Sequence, residues 1–144
     1  AFYSKRLRLP TRFVTEPKFI SFSRAIKEKQ VNFEVGSYDG LKKYAKKDNF
    51  FYFDPPYTNT LGVYNDGKRG FLGWTKEKER TLLAFINDLD NNGVRFMLSF
   101  IIKNGDSVNN DVVDWQEANN YKMIDVPQSQ GRYNNRNEVL IKNY

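Results

Sequence analysis

Phe50-Phe51-Tyr52-Phe53-Asp54-Pro55-Pro56-Tyr57 is the stretch on which the reading of this chain turns. Four aromatics in a row make a short apolar run, the pattern of a buried strand. At its carboxyl end stand a carboxylate, two prolines and a ring. Asp54 can accept N–H groups, and Pro55 offers a carbonyl on a backbone with little freedom and no N–H of its own. The Tyr57 ring can stack on a flat partner. Together these groups can form a rigid floor for a planar nitrogen base. A plain turn is the competing reading, because the residue before a proline is pushed to extended geometry and Asp-Pro-Pro is a common way to leave a strand. The ring directly after the prolines and the unbroken apolar strand before them favour a site. Ligands of open α/β sheets bind at the carboxyl ends of such strands.

Working outward, residues 1–17 show no period and contain Pro10 and Pro17, so they read as an irregular basic segment. The spacing of Phe19, Phe22 and Ile26 predicts a helix from Lys18 to Gln30. Val31 to Val35 alternates apolar and polar residues and reads as a strand ended by Gly36. Asp39 is expected to cap a helix running to about Lys47 and burying Leu41, Tyr44 and Ala45. Residues 58–73 read as a long loop with an Asn-Asp-Gly turn signal, and loops of that length are functional or disordered. Thr75 caps the next helix, whose apolar face is Leu82, Leu83, Phe85, Ile86 and Leu89. Glu77 and Glu79 favour its positive start, and Gly93 ends it. Val94 to Ile102 is a continuous apolar run suited to a strand covered on both faces. A helix over Asn109–Asn119 carries Val112, Val113 and Trp115. Lys122–Val126 and Glu138–Lys142 read as two strands forming a terminal antiparallel pair. Trp74 and Trp115 read as packing residues rather than ligands. The series predicts an α/β chain with a mainly parallel sheet and an antiparallel end.

The 144 residues suffice for one domain with a real core. There is no cysteine and no histidine, which excludes disulfides, thiolate metal sites and every Ser-His or Cys-His pair. Chemistry must run on carboxylates, backbone groups, aromatics and a cofactor, with no metal expected. No apolar run is long enough to span a bilayer, so no membrane partner is expected. The net charge of +6 and a pI near 9.4 suit a polyanionic partner. Lys42, Lys43, Lys46 and Lys47 look like the wet face of a helix. The basic groups Lys5-Arg6-Leu7-Arg8…Arg12, Lys68-Arg69 and Arg132…Arg136 instead fall in expected loops beside Tyr, Phe or Asn.

Several stretches then carry a family resemblance: Phe33-Glu34-Val35-Gly36-Ser37-Tyr38, the Asp54-Pro55-Pro56-Tyr57 quartet, Tyr64-Asn65-Asp66-Gly67…Gly70-Phe71…Trp74-Thr75, Phe96-Met97-Leu98-Ser99, and Tyr133-Asn134…Asn137 to Tyr144. From about Val31 to Tyr144 the chain resembles the C-terminal catalytic part of Dam-type, D12-class DNA adenine methyltransferases. The resemblance implies a partial Rossmann-like methyltransferase sheet over residues 31–144, with residues 1–30 as the tail of a target-recognition region. It implies S-adenosylmethionine as cofactor, double-stranded DNA as partner, and the cytoplasm of a bacterium or phage-infected cell as the location.

By the same resemblance Asp54, Pro55, Pro56 and Tyr57 are catalytic. Ser37, Tyr38 and Asp54 contact the cofactor. Tyr64, Asn65, Lys68, Arg69, Arg132, Tyr133, Asn134 and Arg136 contact DNA, for which the alternative is a set of solvated loop residues. The family's aromatic-x-Gly-x-Gly segment is not found here, so a missing N-terminal half or a complementary subunit is expected, and the chain alone is expected to be inactive. Phe100 departs from the family, which tends to carry Asn at that place. Amino methylation of RNA or of protein glutamine, and a non-catalytic DNA-binding remnant, remain alternatives.

Overall fold

The computed structural model describes residues 16–58, 73–127 and 135–144, which fall in two units, Ala1–Gly36 and Ser37–Tyr144. In the first unit, helix α1 spans Glu16–Glu28 rather than 18–30. It stops where Gln30 takes φ 52° and the Val31 N–H bonds back to the Ile26 carbonyl at 3.1 Å, a left-handed cap that cannot continue the helix. Phe19 and Phe22 are exposed. The strand expected over Val31–Val35 is absent: these residues make no ladder, and Phe33 is 78% exposed. Alternation prepares two faces, but a strand exists only where a neighbour supplies its hydrogen bonds.

In the second unit, the helix expected to start at Asp39 is a 3-10 helix over Tyr38–Tyr44, capped by the Ser37 hydroxyl. Gly40 lowers α-helical propensity in its first turn, and a short 3-10 connector suffices to lead into the sheet. Leu41 and Ala45 pack on the core, whereas Tyr44 stays exposed. Strand β1 is Phe50–Phe53 and helix α2 is Lys76–Asn91. Thr75 caps α2 by accepting the Lys78 N–H. At its other end Gly93, at φ 70°, donates to the Asp90 carbonyl while Val94 donates to Leu89, a pairing that uses up the last carbonyls. Then follow β2 (Arg95–Asn104), β3 (Ser107–Val108), α3 (Asn110–Ala118), β4 (Lys122–Asp125) and β5 (Arg136–Lys142).

The sheet order is β1-β2-β5-β4, with β3 paired to β2. β1 and β2 run parallel, from Phe50↔Arg95 to Phe53↔Leu98. The other ladders are antiparallel, so the expectation of a mainly parallel sheet does not hold among the described residues. The cause is the position of β5. It inserts, reversed, between β2 and β4, so it makes two antiparallel ladders although β1, β2 and β4 share one direction. The expected antiparallel pair of β4 and β5 is formed, from Lys122↔Lys142 to Asp125↔Val139.

Register places Phe51, Phe53, Phe96, Leu98, Val139 and Ile141 on one face, and all are buried. α2 covers it through Phe85, which meets Phe51 and Phe53 edge-on. α3 covers it through Trp115, packed against Phe96 and Tyr121. Trp74 also packs against this core.

Candidate active site

The parallel register sets the site. Phe53 pairs with Leu98, so the chain leaves β1 beside Ser99 and Phe100. Phe51 and Phe53 are held under α2, which leaves Asp54 exposed at the rim. After Pro55 and Pro56 the chain places Tyr57 against β2. The Tyr57 hydroxyl donates to Asp54 Oδ1 at 2.7 Å. Its ring meets Phe100 edge-on, with centroids 5.2 Å apart and planes at 82°. Phe100 is 1% exposed, so it is a fixed support. Phe100 is therefore the residue that braces Tyr57. Burial, and next the Asp54 carboxylate, push the Tyr57 phenol well above the ordinary tyrosine range; a hydrogen bond with Ser99 acts in the other direction. Ser99 in turn donates to Glu138 Oε1 at 3.4 Å, and Glu138 stands on β5 opposite Ile101.

A second polar group lies directly behind the quartet. Glu79 is 1% exposed. One of its carboxylate oxygens accepts the Thr58 hydroxyl at 2.8 Å, and the other accepts Asn109 Nδ2 at 2.8 Å. Asn109 Nδ2 also reaches Thr58 Oγ1 at 3.1 Å, while Asn109 Oδ1 caps α3 through the Val112 N–H. Nearby, Lys78 Nζ donates to the Gly73 carbonyl at 2.8 Å.

Among the expected cofactor contacts, Ser37 Oγ serves the Asp39 N–H as the cap of the 3-10 helix. Tyr38 packs at 5.9 Å against Phe85, the ring that also holds β1. Burial, then the Asp39 charge, raise its phenol, against a hydrogen bond with Thr81. Tyr64, Asn65, Lys68, Arg69, Arg132, Tyr133 and Asn134 lie outside the described residues. Arg136 is not a loop residue: it opens β5, opposite Asn104, and is half-buried. No group of carboxylates among the described residues is arranged to hold a metal ion, and none of their helices is long and apolar enough to cross a membrane.

Sequence reasoning missed Thr58, Glu79 and Asn109. Glu79 carries the ordinary signature of a helix start, and its partner Thr58 is 21 positions away. Nothing local distinguishes it from Glu77. Ser99 and Glu138 were within reach, since both lie in the family-like stretches around Leu98 and Val139.

Comparison with known proteins identifies the family. The model of the D12 class N6 adenine-specific DNA methyltransferases matches residues 1–129, and so includes the first thirty residues. Modification methylase LlaI of Lactococcus lactis subsp. lactis is 36% identical over 80% of this chain. Modification methylase StsI of Streptococcus sanguinis is 38% identical over 67%, and the type II methyltransferase M.FokI of Planomicrobium okeanokoites is 32% identical over 88%. The chain spans 16–20% of the length of these relatives. It belongs to the D12 class N6 adenine-specific DNA methyltransferase family.

Proposed function

We propose that this member of the D12 class carries the base-binding and methyl-acceptor half of a site that methylates the amino group of adenine in double-stranded DNA, in a restriction–modification setting. The observation that carries the reading is the exposed Asp54 carboxylate at the end of β1, beside a Tyr57 ring braced by Phe100. That arrangement fits a flat base bearing an N–H donor. The amine of adenine is a poor nucleophile because its lone pair is spread into the ring. Asp54 and the Pro55 carbonyl accept its two hydrogens, which favours a pyramidal nitrogen with a directed lone pair. Catalysis is then mainly orientation and electrostatics.

A carboxylate has acceptor capacity beyond one hydrogen bond. The Tyr57 hydroxyl on Oδ1 therefore fixes the carboxylate and still leaves room for the amine. Asp54 relieves the positive charge that develops on nitrogen and takes the proton late, so no histidine is needed. The base must leave the duplex stack to reach this rim, and the Tyr57 ring offers it a surface.

S-adenosylmethionine, when bound, supplies an electrophilic methyl group. Tyr38 and Ser37 are the proposed contacts to its adenosine, supported by the place of Tyr38 against Phe85. Lys68, Arg69, Tyr64, Asn65, Arg132, Tyr133, Asn134 and Arg136 are the proposed DNA contacts. Residues 1–30 are assigned to the target-recognition region, and the remaining strands of a Rossmann-like sheet to a further segment or subunit. The parallel β1–α2–β2 crossover supports that assignment. The proposed location is the cytoplasm.

The test uses the intact protein with labelled S-adenosylmethionine and a set of duplexes. The expected product is N6-methyladenine in digested DNA. Label found only in RNA or protein, or in no acceptor, overturns the reading.

A further inference from the structure

The mechanism above makes no use of Glu79, although a carboxylate this deeply buried is held only where several donors reward it. Its partners are informative. Thr58 directly follows Tyr57, so a hydrogen bond on Thr58 restrains the turn that carries the quartet. Asn109 is itself fixed twice. Its N–H donates to the Ile102 carbonyl at 2.8 Å, and its side chain caps α3. That bond continues the β2–β3 register of Lys103↔Val108 and Asn104↔Ser107, on the edge of β2 away from β5. The first turns of α2 also hold the other end of the 58–73 segment, through Lys78 on the Gly73 carbonyl.

We propose that Glu79, clamped between Thr58 and Asn109, is a positioning residue that sets the Asp54–Tyr57 turn against β2. The β2–β3 pairing and the α3 cap fix Asn109, Asn109 and Glu79 fix Thr58, and Thr58 fixes the place of Tyr57 on Phe100. Three elements distant in sequence thereby converge on one turn. The effect on methylation rests on the proposed function above; the effect on Tyr57 does not.

The experiment compares wild type, Thr58→Val, Glu79→Gln and Glu79→Ala in the intact protein. Thr58→Val keeps the shape and loses the hydroxyl. Glu79→Gln keeps an acceptor for Asn109 and presents an amide to Thr58. The first readout is the Tyr57 ring-proton shifts, which sense the edge-on Phe100 ring. The second is the split between kcat and KM for methyl transfer to duplex DNA.

Thr58→Val is expected to move the Tyr57 resonances, leave those of Tyr121 in place, and lower kcat about tenfold with KM changed less than about twofold, as a misplaced reacting group does. Glu79→Gln is expected to keep wild-type shifts and kcat within about threefold, and Glu79→Ala to lose both. Unmoved Tyr57 shifts in Thr58→Val overturn the proposal even if Glu79→Ala fails to fold. Tyr57 resonances that move in Thr58→Val as expected, with a wild type that transfers no methyl group, refute the proposed function and leave the positioning role supported.

Discussion

The two ends of the sheet carry the same pair of groups, a tyrosine hydroxyl on an aspartate, and put them to different uses. At the carboxyl end of β1, Tyr57 donates to Asp54. At the opposite end, Tyr121 donates to Asp90 Oδ2 at 3.1 Å and also reaches Asn87 Oδ1 at 3.2 Å. The second Asp90 oxygen accepts Asn143 Nδ2 at 2.6 Å, and Asn143 goes on to the Val94 carbonyl and the Phe96 N–H. Asp90 is thus shared between two donors that tie α2, the start of β2 and the end of the chain together. Asp54 is exposed and followed by two prolines that bring no donor. A carboxylate whose donors come from the fold acts as a fastener, whereas one left at a rim with spare acceptors is available for a ligand's N–H groups.

The largest expected effect tests that contrast directly. Asp54→Ala in the intact protein should lower methyl transfer by about 10²–10³-fold or more, the usual loss when an aligned electrostatic partner is removed. Its unfolding free energy should stay within about 0.5 kcal/mol of wild type, as for other exposed positions. Activity within a few-fold of wild type would remove Asp54 from the chemistry and collapse the distinction.

The converse change is Asp90→Ala. It should cost about 2 kcal/mol of stability by urea denaturation, because two donors lose a charged partner. The activity of the folded fraction should be unchanged. If activity falls more than stability does, the far end of the sheet also serves the site.

The smallest effect lies in the alkaline limb. Burial, followed by the neighbouring aspartate, raises both phenols above the ordinary tyrosine range, so the folded chain keeps protons that the unfolded chain releases. That stabilisation is complete below about pH 10 and declines as pH rises from there toward the folded values. Denaturation midpoints should therefore be flat on the approach to that pH and fall above it. Tyr121→Phe should flatten the fall, and so should Tyr57→Phe. A midpoint profile in which neither substitution changes the slope would mean that neither phenol is held neutral by its burial and its aspartate.

Much of this was legible because it is local. Thr75 and Gly93 bound α2 as their chemistry requires, and the apolar face from Leu82 to Leu89 faces the core. The aromatic run of β1 and the quartet after it could be read at sight, since a strand end needs no distant partner to be recognised. What failed was non-local or marginal. Val31–Val35 has the right alternation and no ladder, and the 3-10 helix replaced an α-helix where Gly40 weakened the first turn. Arg136 looked like a loop residue because the start of β5 is polar; only its pairing with Asn104 makes it a strand.

By itself, then, the amino-acid order determined the elements with strong caps and faces, the chemistry excluded by the lack of cysteine and histidine, and the Asp-Pro-Pro-Tyr quartet as the centre of interest. These follow from side-chain type and near-neighbour geometry. The tertiary structure decided the antiparallel majority of ladders, through the insertion of β5 between β2 and β4. It made Phe100 the support of Tyr57, and it drew Glu79 off the helix surface into contact with Thr58 and Asn109. Each of those outcomes depends on which distant residue the fold brings within hydrogen-bonding or van der Waals reach, and spacing along the chain does not encode that distance.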